Sequence, residues 1–131
     1  MIQGRVTMPS LAGKNILVVE DEYFIASDLK RAIGAASATV IGPVSTLDGG
    51  LAAAASDAID AAVLDVNLSG ALSYPIADRL TERNVPFVFV TGYDGWAMPA
   101  TYRDVLRLAK PFPPGAVLRA LERLVGDGGK D

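Results

Sequence analysis

Asn15-Ile-Leu-Val-Val-Glu20-Asp21 and Ala61-Ala-Val-Leu-Asp65 are two short apolar runs that each break off at carboxylates. Neither alternates apolar with polar positions, so both read as strands buried on two faces. The first leads into residues 22–36, where Ile25, Leu29, Ile33 and Ala36 share one helical face. Thr39-Val-Ile-Gly-Pro43 reads as a weaker strand, its proline suited to an end or an edge. Ser45-x-x-Asp48 reads as a capping box opening a second helix. Gly49 and Gly50 weaken that helix by about 1 kcal/mol each relative to Ala. A third helix is expected near 73–83, with Ile76, Ala77 and Leu80 inward. Pro86-Phe-Val-Phe-Val-Thr91 and Val105-Leu-Arg-Leu-Ala109 complete a set of five strands. A last helix over 114–125 carries the stripe Val117, Leu121 and Leu124. Between them, 93–104 holds Gly95, Pro99 and few apolar positions, so any helix there is short.

Strands joined by helical crossovers are parallel, and helices cover both faces of the sheet. The expected fold is therefore α/β, a doubly wound five-stranded parallel sheet of the flavodoxin-like (βα)5 kind with a short or irregular fourth helix. Residues 1–13 lack periodicity and read as a mobile arm, 14–126 as the folded domain and 127–131 as a flexible tail.

The length of 131 residues suits one domain. The absence of Cys and His excludes disulfides, thiolate or imidazole metal sites, cysteine nucleophiles and Ser-His-Asp triads. It also excludes a phosphohistidine on this chain. A net charge of −3, from 12 basic and 15 acidic residues, argues against nucleic acid as a partner. No run approaches the ~18 apolar residues of a membrane span, and the first residues do not read as a signal peptide. The expected compartment is the cytoplasm, with no membrane partner.

In such sheets the ligand crevice opens at the carboxyl ends of the strands. Glu20-Asp21, Asp65, Thr91-Gly92 and Lys110-Pro111 stand at those ends. Three carboxylates brought together repel, and a divalent cation relieves the repulsion. An all-oxygen set without His or Cys suits Mg²⁺. Lys110 supplies a point charge and Thr91 a hydroxyl donor for phosphoryl oxygens. A carboxylate then serves as nucleophile, giving an aspartyl phosphate. The plainer alternatives are an N-cap role for Asp21, a surface or capping role for Asp65, a solvated Lys110 and an ordinary strand position for Thr91. No Gly-x-Gly-x-x-Gly and no Walker-type lysine motif is present.

Together these residues resemble the receiver domain of two-component response regulators over about residues 14–126. The resemblance implies Asp65 as phospho-acceptor, with Thr91 and Lys110 on the phosphoryl oxygens. It implies a Mg²⁺ site of Asp21, Asp65, the Asn67 backbone carbonyl and Glu20, the last through water. The donor would be a histidine kinase or a histidine phosphotransfer protein, and the acyl phosphate would later hydrolyse with help from the same site. That is a self-catalysed acceptor rather than a turnover enzyme, signalling through protein contact or acting as a phosphate sink.

Phe89-Val-Thr-Gly-Tyr93 further resembles the FAT-GUY motif of stand-alone receivers, with Val90 for Ala and Asp94 for the final Tyr. That subset implies HWE-type kinases and stress signalling. Tyr93, Arg107 and Pro111 are the candidate switch or partner surface, and a cis bond before Pro111 would aim Lys110 inward. Arg103, Arg107, Arg119 and Arg123 fit either a solvated face or a docking patch.

Two departures from ordinary receivers stand out. The aromatic usually three residues before the lysine is Arg107, so the usual coupling of threonine to an inward-turning aromatic does not carry over unchanged. The loop after Asp65 is Val66-Asn67-Leu68-Ser69-Gly70, without the usual Met-Pro. Competing readings are a pseudo-receiver that binds without phosphorylation and a phosphatase of the haloacid dehalogenase type. The latter needs Asp-x-Asp after the first strand, which Glu20-Asp21-Glu22 lacks.

Overall fold

The apolar runs align side by side in the computed structural model, which describes residues 11–56, 58–92 and 98–125. The elements are β1 (Asn15–Val19), α1 (Tyr23–Ala35), β2 (Thr39–Val44), α2 (Leu47–Ser56), β3 (Ala61–Asp65), β4 (Asn67–Leu68) and β5 (Ala71–Leu72). They continue with α3 (Tyr74–Glu82), β6 (Phe87–Thr91), a 3₁₀ turn (Ala100–Tyr102), β7 (Arg107–Ala109) and α4 (Pro114–Val125). The main sheet has five parallel strands in the order β2-β1-β3-β6-β7. The chain winds outward in opposite directions from β1 and β3, so the crevice opens above those two neighbours.

Strand periodicity divides the core into two layers. Leu17, Val19, Leu64, Phe87 and Phe89 pack toward Ile76, Ala77 and Leu80 of α3. Ile16, Val18, Val63, Val88 and Val90 pack toward Leu29 and Ile33 of α1 and Val117 and Leu121 of α4. β1, β3 and β6 are almost wholly buried, which explains why their sequences do not alternate.

Several expectations need correction. The second helix is capped by Thr46, whose Oγ1 accepts from Gly49 N at 2.9 Å, and not by Ser45. The arm expected over 1–13 is folded at its end: Leu11 is fully buried in the α1–α4 layer, and Gly13 N donates to Ser37 O. β7 starts at Arg107 rather than 105, because Val105 N bonds back to Tyr102 O at the 3₁₀ turn. The hairpin β4–β5 adds to the expected elements; Ser69 and Gly70 form its two-residue tip. Among the described residues, no helix is long and apolar enough to cross a membrane.

Gly50 has a packing reason. A Cβ there would lie 2.3 Å from Ile76 Cδ1 and 3.2 Å from Ile76 Cγ1, in the tight contact between α2 and α3. Among the described residues, nothing lies within 4 Å of a Cβ built at Gly34 in α1. Alanine at Gly34 therefore raises stability by about 0.5–1 kcal/mol through helix propensity. The same change at Gly50 lowers stability by about 1–2 kcal/mol, because overpacking outweighs that gain. Paired urea melts check the opposite signs.

Candidate functional site

The carboxyl ends of β1, β3, β6 and β7 deliver the expected residues to one place. Glu20 follows β1 and its N–H donates to Val44 O; its carboxylate is turned back by Glu22 N, which donates to Oε2 at 3.0 Å. Asp65 closes β3, and its Oδ1 accepts from Asn67 N at 3.1 Å. Thr91 closes β6, and Lys110 N donates to Thr91 O at 2.7 Å, which fixes the lysine beside the threonine. Lys110 Nζ lies 3.0 Å from both Glu20 Oε2 and Asp65 Oδ2, and 3.6 Å from Glu22 Oε2. The Lys110–Pro111 peptide bond is cis. Glu20, Asp21 and Asp65 each offer a carboxylate oxygen within 4.8 Å of the others. Asp21 does not cap α1; the residue at that position is Glu22, whose side chain makes no capping hydrogen bond.

A cleft of about 460 Å³ lies over this cluster, lined by Asp21, Glu22, Asp65, Asn67, Ser69, Thr91, Gly92 and Lys110. A larger groove, about 990 Å³, runs around the amino ends of β6 and β7 past Phe87, Tyr102 and Leu124. Among the described residues it gathers no comparable set of charges, so size does not mark the site here.

Burial first, then the charge of Glu20, pushes the Asp65 carboxyl up to about 7, against the pull of Lys110. Burial alone would depress Lys110, but its bonds to Asp65 and Glu20 outweigh that and hold it above its ordinary value. Glu20 Oε1 is buried without a hydrogen-bond partner among the described residues. Three acids packed around one ammonium leave negative charge uncompensated. At such separations each like-charge pair costs on the order of a few kcal/mol. A hard divalent cation fits this all-oxygen donor set.

Two contributors were not legible in the sequence. Ser69 donates its hydroxyl to Asp21 Oδ2 across 48 residues of chain, and Glu22 adds a further carboxylate beside Lys110. A Ser-Gly pair signals a turn, but nothing in the spacing says what its hydroxyl will reach.

Arg107 is exposed and pairs in register with Phe89, on the face that carries Tyr74 and Tyr102. Tyr102 stacks on Tyr74 and meets Phe87 and Phe89 edge-on, so aromatic volume at this edge comes from α3 and the 3₁₀ turn. Burial, and then its hydrogen bond to Asp78, pushes the Tyr102 hydroxyl up to about 12. Pro111, Arg103, Arg119 and Arg123 are exposed. Tyr93 lies outside the described residues.

No protein-family model and no curated protein matches the chain. Solved structures do. The PhyR response regulator REC domain of Erythrobacter litoralis is 21% identical over 89% of this chain and 93% of that one, with a TM-score of 0.76. The receiver domain of sensor histidine kinase PA1611 from Pseudomonas aeruginosa PAO1, with magnesium in its active site cleft, is 24% identical over 88% and 99%, TM-score 0.75. At that identity both show the fold. SdrG from Sphingomonas melonis Fr1 is 42% identical over 89% of this chain and 98% of that one, TM-score 0.75. The chain belongs to the response regulator receiver domains. A BeF3-activated conformation is also described for SdrG, 41% identical, TM-score 0.71. In this receiver Glu20, Asp21 and Asp65 cluster beside the cleft that Thr91 and Lys110 line.

A carboxyl held above its ordinary 3.8 makes the folded receiver the tighter proton binder. The stability Asp65 contributes is therefore present below about 4 and lost as pH rises through 7. Asp65→Asn removes that loss. In metal-free buffer it raises unfolding free energy at pH 8.5 by about 1–3 kcal/mol, and the gain shrinks toward pH 5. Denaturant melts at the two pH values measure it.

Proposed function

We propose that this receiver takes a phosphoryl group from a phosphohistidine onto Asp65 in a Mg²⁺-dependent reaction and signals through protein contact. The observation that carries the reading is the buried Asp65 carboxylate at the end of a central strand, with Lys110 Nζ 3.0 Å away and Glu20 and Asp21 beside it. The magnesium in the cleft of the PA1611 receiver and the BeF3-activated form of SdrG support it by similarity.

In this reading Asp21, Asp65 and the Asn67 carbonyl hold Mg²⁺ directly and Glu20 through water. The cation, when bound, offsets the carboxylate charge and screens the oxygens of the incoming phosphoryl group. An Asp65 oxygen attacks phosphorus; a P–O bond forms as the donor's P–N bond breaks, and the imidazole leaves with the electron pair and takes a proton. Lys110 exchanges its bond to Asp65 for one to a phosphoryl oxygen, and the Thr91 hydroxyl donates to another. Hydrolysis reverses the gain: water attacks phosphorus, inorganic phosphate leaves and the Asp65 carboxylate returns. A histidine kinase or histidine phosphotransfer protein, the HWE type included, supplies the donor. Tyr93, Arg107 and Pro111 take the partner or switch role, with Arg107 contributing charge where ordinary receivers have an aromatic.

Intact-mass spectrometry with acetyl phosphate or phosphoramidate tests the chemistry. The wild type gains one phosphoryl group only with Mg²⁺, and Asp65→Asn gains none. Retained uptake in Asp65→Asn excludes Asp65 as acceptor. No gain from either small donor or from a phosphorylated kinase leaves a binding module on a receiver fold. Lys110→Ala keeps Mg²⁺ binding but loses any phosphorylation-dependent rise in partner affinity.

A further inference from the structure

The hairpin β4–β5 turns on Ser69 and Gly70, whose φ values are +54° and +98°. Positive φ at both central residues is the type I′ geometry that fits twisted strands, and Asn, Asp and Gly are the residues it accepts without strain. Serine is a poor choice for that backbone. Its hydroxyl is not needed to close the turn either, because Asn67 Oδ1 already accepts from Gly70 N at 2.7 Å. The Ser69 hydroxyl points elsewhere and donates to Asp21 Oδ2, on the loop after β1.

We propose that Ser69 is a positioning residue for the cation: its hydroxyl sets the Asp21 carboxylate before the ion arrives. The inference rests on reading Glu20, Asp21 and Asp65 as a Mg²⁺ site. Asp21 is half-buried beside two buried carboxylates whose oxygens lie within 4.8 Å of its own, and their charge favours rotating it away. A donor fixed on Oδ2 resists that rotation and leaves Oδ1 free of the Ser69 bond. Hydrogen bonds to ligating carboxylates from outside the metal's own contacts commonly control affinity tenfold or more. The left-handed Ser69 backbone is the local cost of aiming that hydroxyl.

Isothermal titration of MgCl₂ into the full chain, run beside thermal melts, separates this role from turn formation. Ser69→Gly suits the turn backbone, so its melting temperature equals or exceeds that of wild type. Its Mg²⁺ affinity nevertheless falls about tenfold, and Ser69→Ala loses a similar factor. A loss of about threefold or more in both variants, with the Gly variant stable, supports the proposal. A smaller loss in Ser69→Gly overturns it while the Mg²⁺ site stands. A wild type that takes up no Mg²⁺ overturns the site and the proposal together.

Discussion

One ammonium group holds the crevice together. Lys110 Nζ touches Glu20 and Asp65 at 3.0 Å and lies 3.6 Å from Glu22, while Asp21 stands among the same acids. Buried ion pairs are poor evidence of stability, since desolvation offsets most of their attraction. Here the balance is worse than even, with more carboxylates than cations among the described residues. The raised Asp65 carboxyl, and a Glu20 Oε1 without a partner among the described residues, are two symptoms of that surplus. A cluster that is unfavourable by itself is responsive: whatever adds positive charge or spreads the negative charge changes it.

The fold serves to assemble that cluster. β1 and β3 are adjacent and parallel, in a register that brings Val19 opposite Leu64, so Glu20 and Asp65 are adjacent by construction. β6 pairs Val90 with Asp65 and β7 pairs Ala109 with Thr91, which carries the threonine and the lysine into the same crevice. The helices bury the sheet's two faces and leave this rim open. Close packing of α2 on α3 through Gly50 and Ile76 holds the α3 layer against β1.

Much of this was legible because the deciding signals were local. Apolar runs ending in Glu20-Asp21, Asp65, Thr91 and Lys110 give both the parallel sheet and the residues at its rim. What escaped was set by contacts between distant segments. Thr46 rather than Ser45 caps α2, a one-residue difference that two adjacent hydroxyls leave open. Leu11 looked like part of an arm because one leucine carries no period; burial between α1 and α4 fixes it. The β4–β5 hairpin is only two residues a side, too short to show alternation, so the Ser69 contact to Asp21 was invisible. Gly50 looked like a defect in a helix and is a contact point.

A divalent-cation site drawn by the surplus carboxylate charge of this rim would carry a thermodynamic signature. The most direct measurement is the melting temperature at pH 8 as MgCl₂ is added, against NaCl at matched ionic strength. A specific site gives a saturating rise with Mg²⁺ that NaCl does not reproduce. Equal curves for the two salts would mean that the cluster receives general screening alone and that the rim is no specific cation site.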